Sequence, residues 1–369
     1  MKKILIIEHD PLTYRVYTGF CIEYFLKLGV DVTYLDLSNF YYPNLIMHNV
    51  LKKEFVVKIN SLKELLEYLK IKVDFSKTII ILEAKFIWKS RKIFRFLSQN
   101  DAFTIKVSIY ANNSLSSNTL SKINSLSVWD IWNIIFCKIY RCLFNIKVHK
   151  LVFSSSISSV DKIKINHPDY ESYIRSGIQS NYPPKYILFL DEYFPLHPEI
   201  LYWFKIDLAD IAQLYYSKMN IFFDFLEKKY KLPVVVAAHP KSSYKGNEYG
   251  GRAIIRDNTC ELVRESLFVV MHQSTSMSYA ILNNKPIAIV TCAEYKHLPR
   301  KILRFQDQIA NYFNLPIIDL DLVDYETVDF MHVNLSRFEK YKYSFLTSFE
   351  TQNLTNGEIL YSKLINIQL

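Results

Sequence analysis

Short, almost purely apolar runs recur along this chain, and each stops abruptly at polar residues. Residues 3–7 (KILII), 78–82 (TIIIL), 185–190 (KYILFL), 233–238 (PVVVAA), 267–271 (LFVVM) and 286–290 (PIAIV) are five or six residues long. That length suits buried strands, and the stretches between several of them (14–28, 63–71, 207–230) have helical length and amphipathic spacing. Strand 3–7, helix 14–28 stopped by Gly29, and strand 31–35 make a βαβ unit, whose crossover is right-handed in a parallel sheet. Residues 105–109 and 150–153 add strands to the first half. The expected class is therefore α/β, with parallel sheets.

At about 150 residues per domain, a chain of 369 implies two domains. The strongest linker signal is 166–185, which carries His167-Pro168, Gly177, Asn181 and Pro183-Pro184. It places the boundary near 183, giving an N-terminal α/β domain of residues 1–183 and a C-terminal one of 184–369. The polar, aromatic segment 334–365 is expected to pack back as helices.

The composition excludes several classes. Apolar residues at 50% and charged residues at 22% argue for an ordered chain. Only seven glycines occur, Gly246, Gly250 and Gly251 among them, and neither GxGxxG nor GxxxxGK[ST] can be written from them. Five cysteines with no CxxC spacing fit neither a disulfide framework nor a zinc site, which suits a reducing cytoplasm. No run of 18 uncharged apolar residues exists, and Glu8, His9 and Asp10 interrupt the only signal-peptide-like start. A net charge of +9 favours anionic partners.

Ligands of open α/β sheets collect at the carboxyl ends of strands, and three such ends carry reactive groups. His239-Pro240-Lys241 follows strand 233–238; the proline directs the imidazole, and Lys241 adds positive charge. His272-Gln273-Ser274-Thr275-Ser276 lies between strand 267–271 and a helix at 277–282. One hydroxyl suffices for a cap, so three suit a phosphate site. Asp191-Glu192 follows strand 185–190 and offers a general base or a loop cap. Glu8, His9 and Asp10, after the first strand, are a rival source of the base.

This order of an acidic strand-end pair, His-Pro, and a Ser/Thr pair opening a helix resembles the GT-B glycosyltransferases that use CMP-activated nonulosonic acids or Kdo. Bacterial sialyltransferases and pseudaminic or legionaminic acid transferases are examples. The resemblance covers about residues 185–292. It implies two Rossmann-like domains facing a central cleft, the N-terminal one binding the acceptor and the C-terminal one the nucleotide sugar. It also implies Asp191 as general base, His239 supporting the departing CMP, and Ser274 with Thr275 holding its phosphate; Lys241 and Ser276, from the same two segments, are expected to add to that phosphate site. Tyr193 stands where the family's acidic motif has glycine. A second pair, His197-Pro198, is set aside because it does not end a strand. The implied activity is transfer of a nonulosonic acid from its CMP-sugar to a hydroxyl of a bacterial surface glycan, free or lipid-linked. It needs neither metal nor cofactor beyond the donor, in keeping with the absence of a DxD pair near the phosphate segment. UDP- or GDP-sugar, CMP-Kdo and CDP-glycerol donors are the alternative; the stretch 276–290 holds no acid to bind a ribose, which favours a monophosphate donor.

The segment 128–148 combines Trp129, Trp132, Phe136, Tyr140 and Phe144 with Lys138, Arg141 and Lys147. Apolar residues all round a helix predict burial; peripheral contact with the inner membrane face is the alternative. Basic residues are spread along the chain and form no known nucleic-acid motif, so no nucleic-acid partner is expected.

Overall fold

The computed structural model describes residues 3–43, 50–108, 128–156, 163–177, 183–198 and 200–367. Two compact units emerge. One comprises residues up to Pro168 together with Thr347–Leu369, and the other runs over Asp169–Leu346.

In the first unit, seven parallel strands are ordered β3-β2-β1-β4-β5-β6-β7: β1 (Lys3–Glu8), β2 (Asp31–Asp36), β3 (Val56–Lys58), β4 (Thr78–Leu82), β5 (Phe103–Ser108), β6 (Leu151–Ser154) and β7 (Ile163–Lys164). Alternate residues of a strand face opposite sides. Ile4 and Ile6 therefore pack with Phe20, Ile22 and Phe25 on one face, and Leu5 and Ile7 with Leu65, Leu69, Ile93 and Phe94 on the other. The helices are α1 (Tyr14–Gly19), α2 (Ile22–Lys27), α3 (Ser38–Tyr41), α4 (Leu62–Lys72), α5 (Arg91–Gln99) and α6 (Val128–Leu143). The single helix expected over 14–28 is two, broken at Cys21, whose φ of 53° lies in the left-handed region.

Apolar residues around α6 are not buried as expected. Trp129, Ile135, Ile139 and Leu143 are exposed, and Cys137 is buried. No helix among the described residues is long and apolar enough to cross a membrane.

The second unit has six parallel strands in the order β10-β9-β8-β11-β12-β13: β8 (Tyr186–Leu190), β9 (Val234–Ala237), β10 (Ile254–Ile255), β11 (Ser266–Met271), β12 (Ile287–Thr291) and β13 (Ile317–Asp319). Its helices are α7 (Pro168–Arg175), α8 (Ala212–Tyr230), α9 (Thr259–Glu265), α10 (Met277–Leu282), α11 (Arg300–Phe313) and α12 (Leu335–Tyr341). Leu188, Leu190, Val269 and Met271 meet α9 to α12 on one face; Ile187, Phe189 and Val270 meet α8 on the other. Each fully buried Ile, Leu, Val or Phe contributes about 1.5–3 kcal/mol.

The division after Pro168 differs from the boundary read near 183. Asn166 is fully buried and clasps the returning tail. Its N–H donates to Asn356 Oδ1 at 2.7 Å, Asn356 Nδ2 donates to the Asn166 carbonyl at 2.7 Å, and Thr347 Oγ1 donates to Asn166 Oδ1 at 2.7 Å. The tail ends in α13 (Asn356–Ile365), capped by Thr355 and Glu358 in a reciprocal capping box. Its Ile359, Leu360 and Leu364 enter the core of the first unit, as expected of a C-terminal helix that packs back.

Candidate functional site

In the second unit, chain order leaves β8 in opposite directions: β9 pairs with one side of it and β11 with the other. The crevice at such a reversal is where ligands of open α/β sheets bind. Leu190 is in register with Ala237 and with Met271. The three segments that follow, 191–193, 238–241 and 272–276, therefore leave adjacent strands along one edge.

Asp191 is 5% exposed. Its carboxylate accepts from the Tyr249 hydroxyl at 3.1 Å, the Tyr244 hydroxyl at 2.5 Å, the Tyr193 N–H at 2.9 Å and the His239 N–H at 3.4 Å. Burial pushes its pKa up, against those hydrogen bonds. A carboxylate with four donors beneath a lid of tyrosines is a poor fit for the base expected at this position. What it does is tie the loop after β9 to the end of β8, fixing where His239 begins. Tyr193, which follows the acidic pair, has φ at 59°, the left-handed conformation that glycine adopts freely. Its ring packs edge-on against Tyr244, 5.1 Å between centroids.

Glu192 has the properties that Asp191 lacks. It is partly exposed, and it accepts from the Tyr295 hydroxyl at 2.7 Å and from the backbone of Gln273. Burial, opposed by that hydroxyl and reinforced by the charge of Asp191, raises its pKa to about 8. An acid poised there exchanges a proton near neutral pH. The sequence marked the pair, but two adjacent acids after a strand carry no sign of which one turns inward.

His239 is partly exposed, and its Nδ1 accepts the Lys241 N–H at 3.1 Å. That bond leaves Nδ1 without a proton in the neutral ring, so the hydrogen sits on Nε2 as a donor. The ring of His197 lies beside it, 4.7 Å between centroids. The second His-Pro pair, set aside from sequence, thus reaches the same place by a loop. Of the chain's three His-Pro dipeptides, at 167, 197 and 239, the last two meet here, and their recurrence was the available signal.

At the third strand end, His272 is completely buried. Its Nδ1–H donates to the Val290 carbonyl at 2.7 Å and its Nε2 accepts the Tyr215 hydroxyl at 2.8 Å. Burial, opposed by the carbonyl bond, holds its pKa at about 4. This ring is neutral and braces the segment. Ser274 and Ser276 are partly exposed and Thr275 is exposed; Ser276 N donates to Ser274 Oγ at 3.2 Å. Ser276 makes no side-chain cap to α10. Beside them the buried Gln273 Oε1 has no partner among the described residues.

The first unit carries a similar reversal at β1, between β2 and β4. Ligating atoms of Glu8, His9 and Asp10 lie within 4.8 Å of one another. Burial disfavours a charged His9, yet the hydrogen bond and charge of Glu8, with Asp10, raise its pKa overall. Next to it, burial and the charge of Glu8, against the Val107 N–H, raise Glu83 to about 8.

Two parallel α/β units of this kind match the GT-B fold. Among solved structures, the glycosyltransferase SnogD from Streptomyces nogalater is similar over 99% of both chains, with a TM-score of 0.55 at 8% identity. The wall teichoic acid polymerase TagF matches at a TM-score of 0.49 and 14% identity, over 98% of this chain and 87% of that one. The spinosyn rhamnosyltransferase SpnG matches at 0.48 and 10%, over 99% of this chain and 100% of that one. No protein-family model and no curated protein sequence matches the chain.

Proposed function

We propose that the protein is a glycosyltransferase that moves a nonulosonic acid from its CMP-sugar to a hydroxyl of a surface-glycan acceptor. The observation that carries this reading is the convergence of the acidic, His-Pro and Ser/Thr segments on β8, β9 and β11, at the reversal point of the second sheet. Those are the segments on which the resemblance to CMP-nonulosonate transferases rests.

In this mechanism the anomeric carbon–oxygen bond to CMP breaks, and the electron pair leaves with the phosphate. His239 Nε2–H, Lys241 and the hydroxyls of Ser274, Thr275 and Ser276 donate to the growing negative charge, so they stabilise the transition state more than the bound donor. The acceptor oxygen forms the new bond, and its proton passes to Glu192, which replaces Asp191 as base because it is accessible and poised near neutrality. Asp191 positions the His239 loop. Glu8, His9 and Asp10 give the first unit its own acid-base group, suited to an acceptor hydroxyl. The unpartnered Gln273 Oε1 offers an acceptor to a donor-side amine or hydroxyl.

Thermal unfolding with CMP, CDP, UDP and GDP tests the donor class, because a ligand that binds the folded state raises its stability. Selective stabilisation by CMP, lost in His239→Ala, is expected. A shift with UDP or GDP alone reassigns the donor, and no shift with any nucleotide removes the transferase reading.

A further inference from the structure

Helix α6 sits on the first unit with its apolar side outward. Its inner side is fixed: Cys137 is buried, Asn133 Oδ1 accepts the Trp88 N–H at 2.8 Å, and Tyr140 packs edge-on against Trp88. From the edge of that seat round to the far side run Trp129, Leu143, Trp132, Ile139, Ile135 and Ile131, and all six are exposed, Trp129 at 77% and Leu143 at 74%, while Trp132 also meets the Trp88 ring edge-on. At 100° per residue these six span a contiguous sector without a charged side chain. An apolar surface of this kind on a folded domain marks an interaction site.

Charge identifies what it meets. Residues 85–100 and 128–150 together hold nine lysines and arginines against one acid, Asp130. Lys89, Lys92, Lys138 and Lys147 are exposed. Arg91 lies over the Trp88 ring at 3.7 Å and Arg95 over Phe144 at 3.7 Å, so both guanidinium groups are carried on aromatic faces. Protein interfaces are depleted in lysine. Tryptophan and isoleucine on one helix face with lysine and arginine around it is the composition of a helix lying in the plane of an anionic bilayer surface.

We propose that α6 is a membrane-interface helix, which seats the first unit on anionic phospholipid. The basic residues draw the face to the headgroups, and the two tryptophans and the isoleucines enter the acyl boundary. This stands on the exposed face and its charge, independently of any reading of the second unit.

Flotation of the full chain with vesicles of phosphatidylcholine alone, and of phosphatidylcholine containing one quarter phosphatidylglycerol, tests it. The wild-type chain is expected to float with the anionic vesicles, to do so weakly with the neutral ones, and to be released by salt. Ile135→Ser/Ile139→Ser/Leu143→Ser should abolish flotation while leaving thermal unfolding unchanged. Lys92→Glu/Lys138→Glu/Lys147→Glu should weaken it by roughly a hundredfold, and it decides the question if the serine variant fails to fold. Equal flotation with both vesicle types, or retained binding in the glutamate variant, overturns the proposal. So does a wild-type dimer by sedimentation equilibrium that becomes a monomer in the serine variant without any vesicle binding, because the face is then a contact between copies.

Discussion

The imidazole rings of His197 and His239 lie 4.7 Å apart and nearly perpendicular, each followed by a proline. In the proposed mechanism the Nε2–H of His239 is the donor, so His239→Ala should lower kcat by about 10²–10³. His197→Ala should cost less, and the double variant should fall short of the product of the two effects, because the rings act as a unit. Steady-state CMP release measures all three, and full activity in His239→Ala would remove this role.

Asp191 and Glu192 are consecutive, yet they separate by function. Every contact of the Asp191 carboxylate is with a donor, so Asp191→Asn turns an amide toward the hydroxyls of Tyr244 and Tyr249 and should destabilise the second unit by about 2–3 kcal/mol. Glu192→Gln keeps an acceptor for Tyr295 and should leave the fold intact while removing activity. A base works deprotonated, so the wild-type rate should rise with pH to a half-point near 8. The residual rate of the Gln variant should be flat across that range. A wild-type profile without a step, or a Gln variant as active as the wild type, would return the base to another residue.

The strands β1, β4, β8, β9, β11 and β12 were legible because both faces of each sheet are covered there, which makes them almost purely apolar runs; β8, β9 and β11 fall within a residue of their expected limits. β3, β10 and β13 have only two or three residues and leave no run to see. The break at Cys21 follows Gly19, the last residue of α1, a single glycine that the amphipathic spacing of 14–28 overrode. The domain limit was misplaced because proline and glycine at 177–184 signal a turn, whereas the true junction is set by Asn166 bonding Asn356, 190 residues away. Local pattern holds no trace of such a partner. Helix α6 shows the converse: apolarity all round predicts burial only when another element covers it, and sequence does not say whether one does.

Glu83 tests the electrostatics of the first unit. Burial raises its pKa from 4.5 to about 8 in the folded state. Between those values the native state binds more protons than the unfolded one, so this group's contribution to stability falls as pH rises through the window. The slope from one group is at most about 1.4 kcal/mol per pH unit. Glu83→Gln still accepts from Val107 N–H and never ionises. Urea unfolding should therefore find the variant close to wild type at pH 5 and increasingly more stable than it toward pH 8. A constant difference across that range would contradict the raised pKa.

Gly357 sets two ordinary rules against each other. It lies in the first turn of α13, where alanine is the better helix former by about 1 kcal/mol. A Cβ there would stand 2.6 Å from Cγ of Tyr24 and 2.8 Å from Cδ2, inside the ring that α2 presents to α13. The ring is wedged between Phe25 and Tyr361, both within 6.4 Å centroid to centroid, so it has little room to withdraw. Overpacking of this kind costs about 1–3 kcal/mol, so the clash should outweigh the propensity and Gly357→Ala should be destabilising. The same substitution in a Tyr24→Ala background removes the obstacle and should recover the helix-forming gain. A double-mutant cycle on urea unfolding therefore returns a coupling of at least 1 kcal/mol between positions 24 and 357. Additive effects, or a Gly357→Ala chain as stable as the wild type, would mean that the tail docks less tightly against α2 than these distances describe.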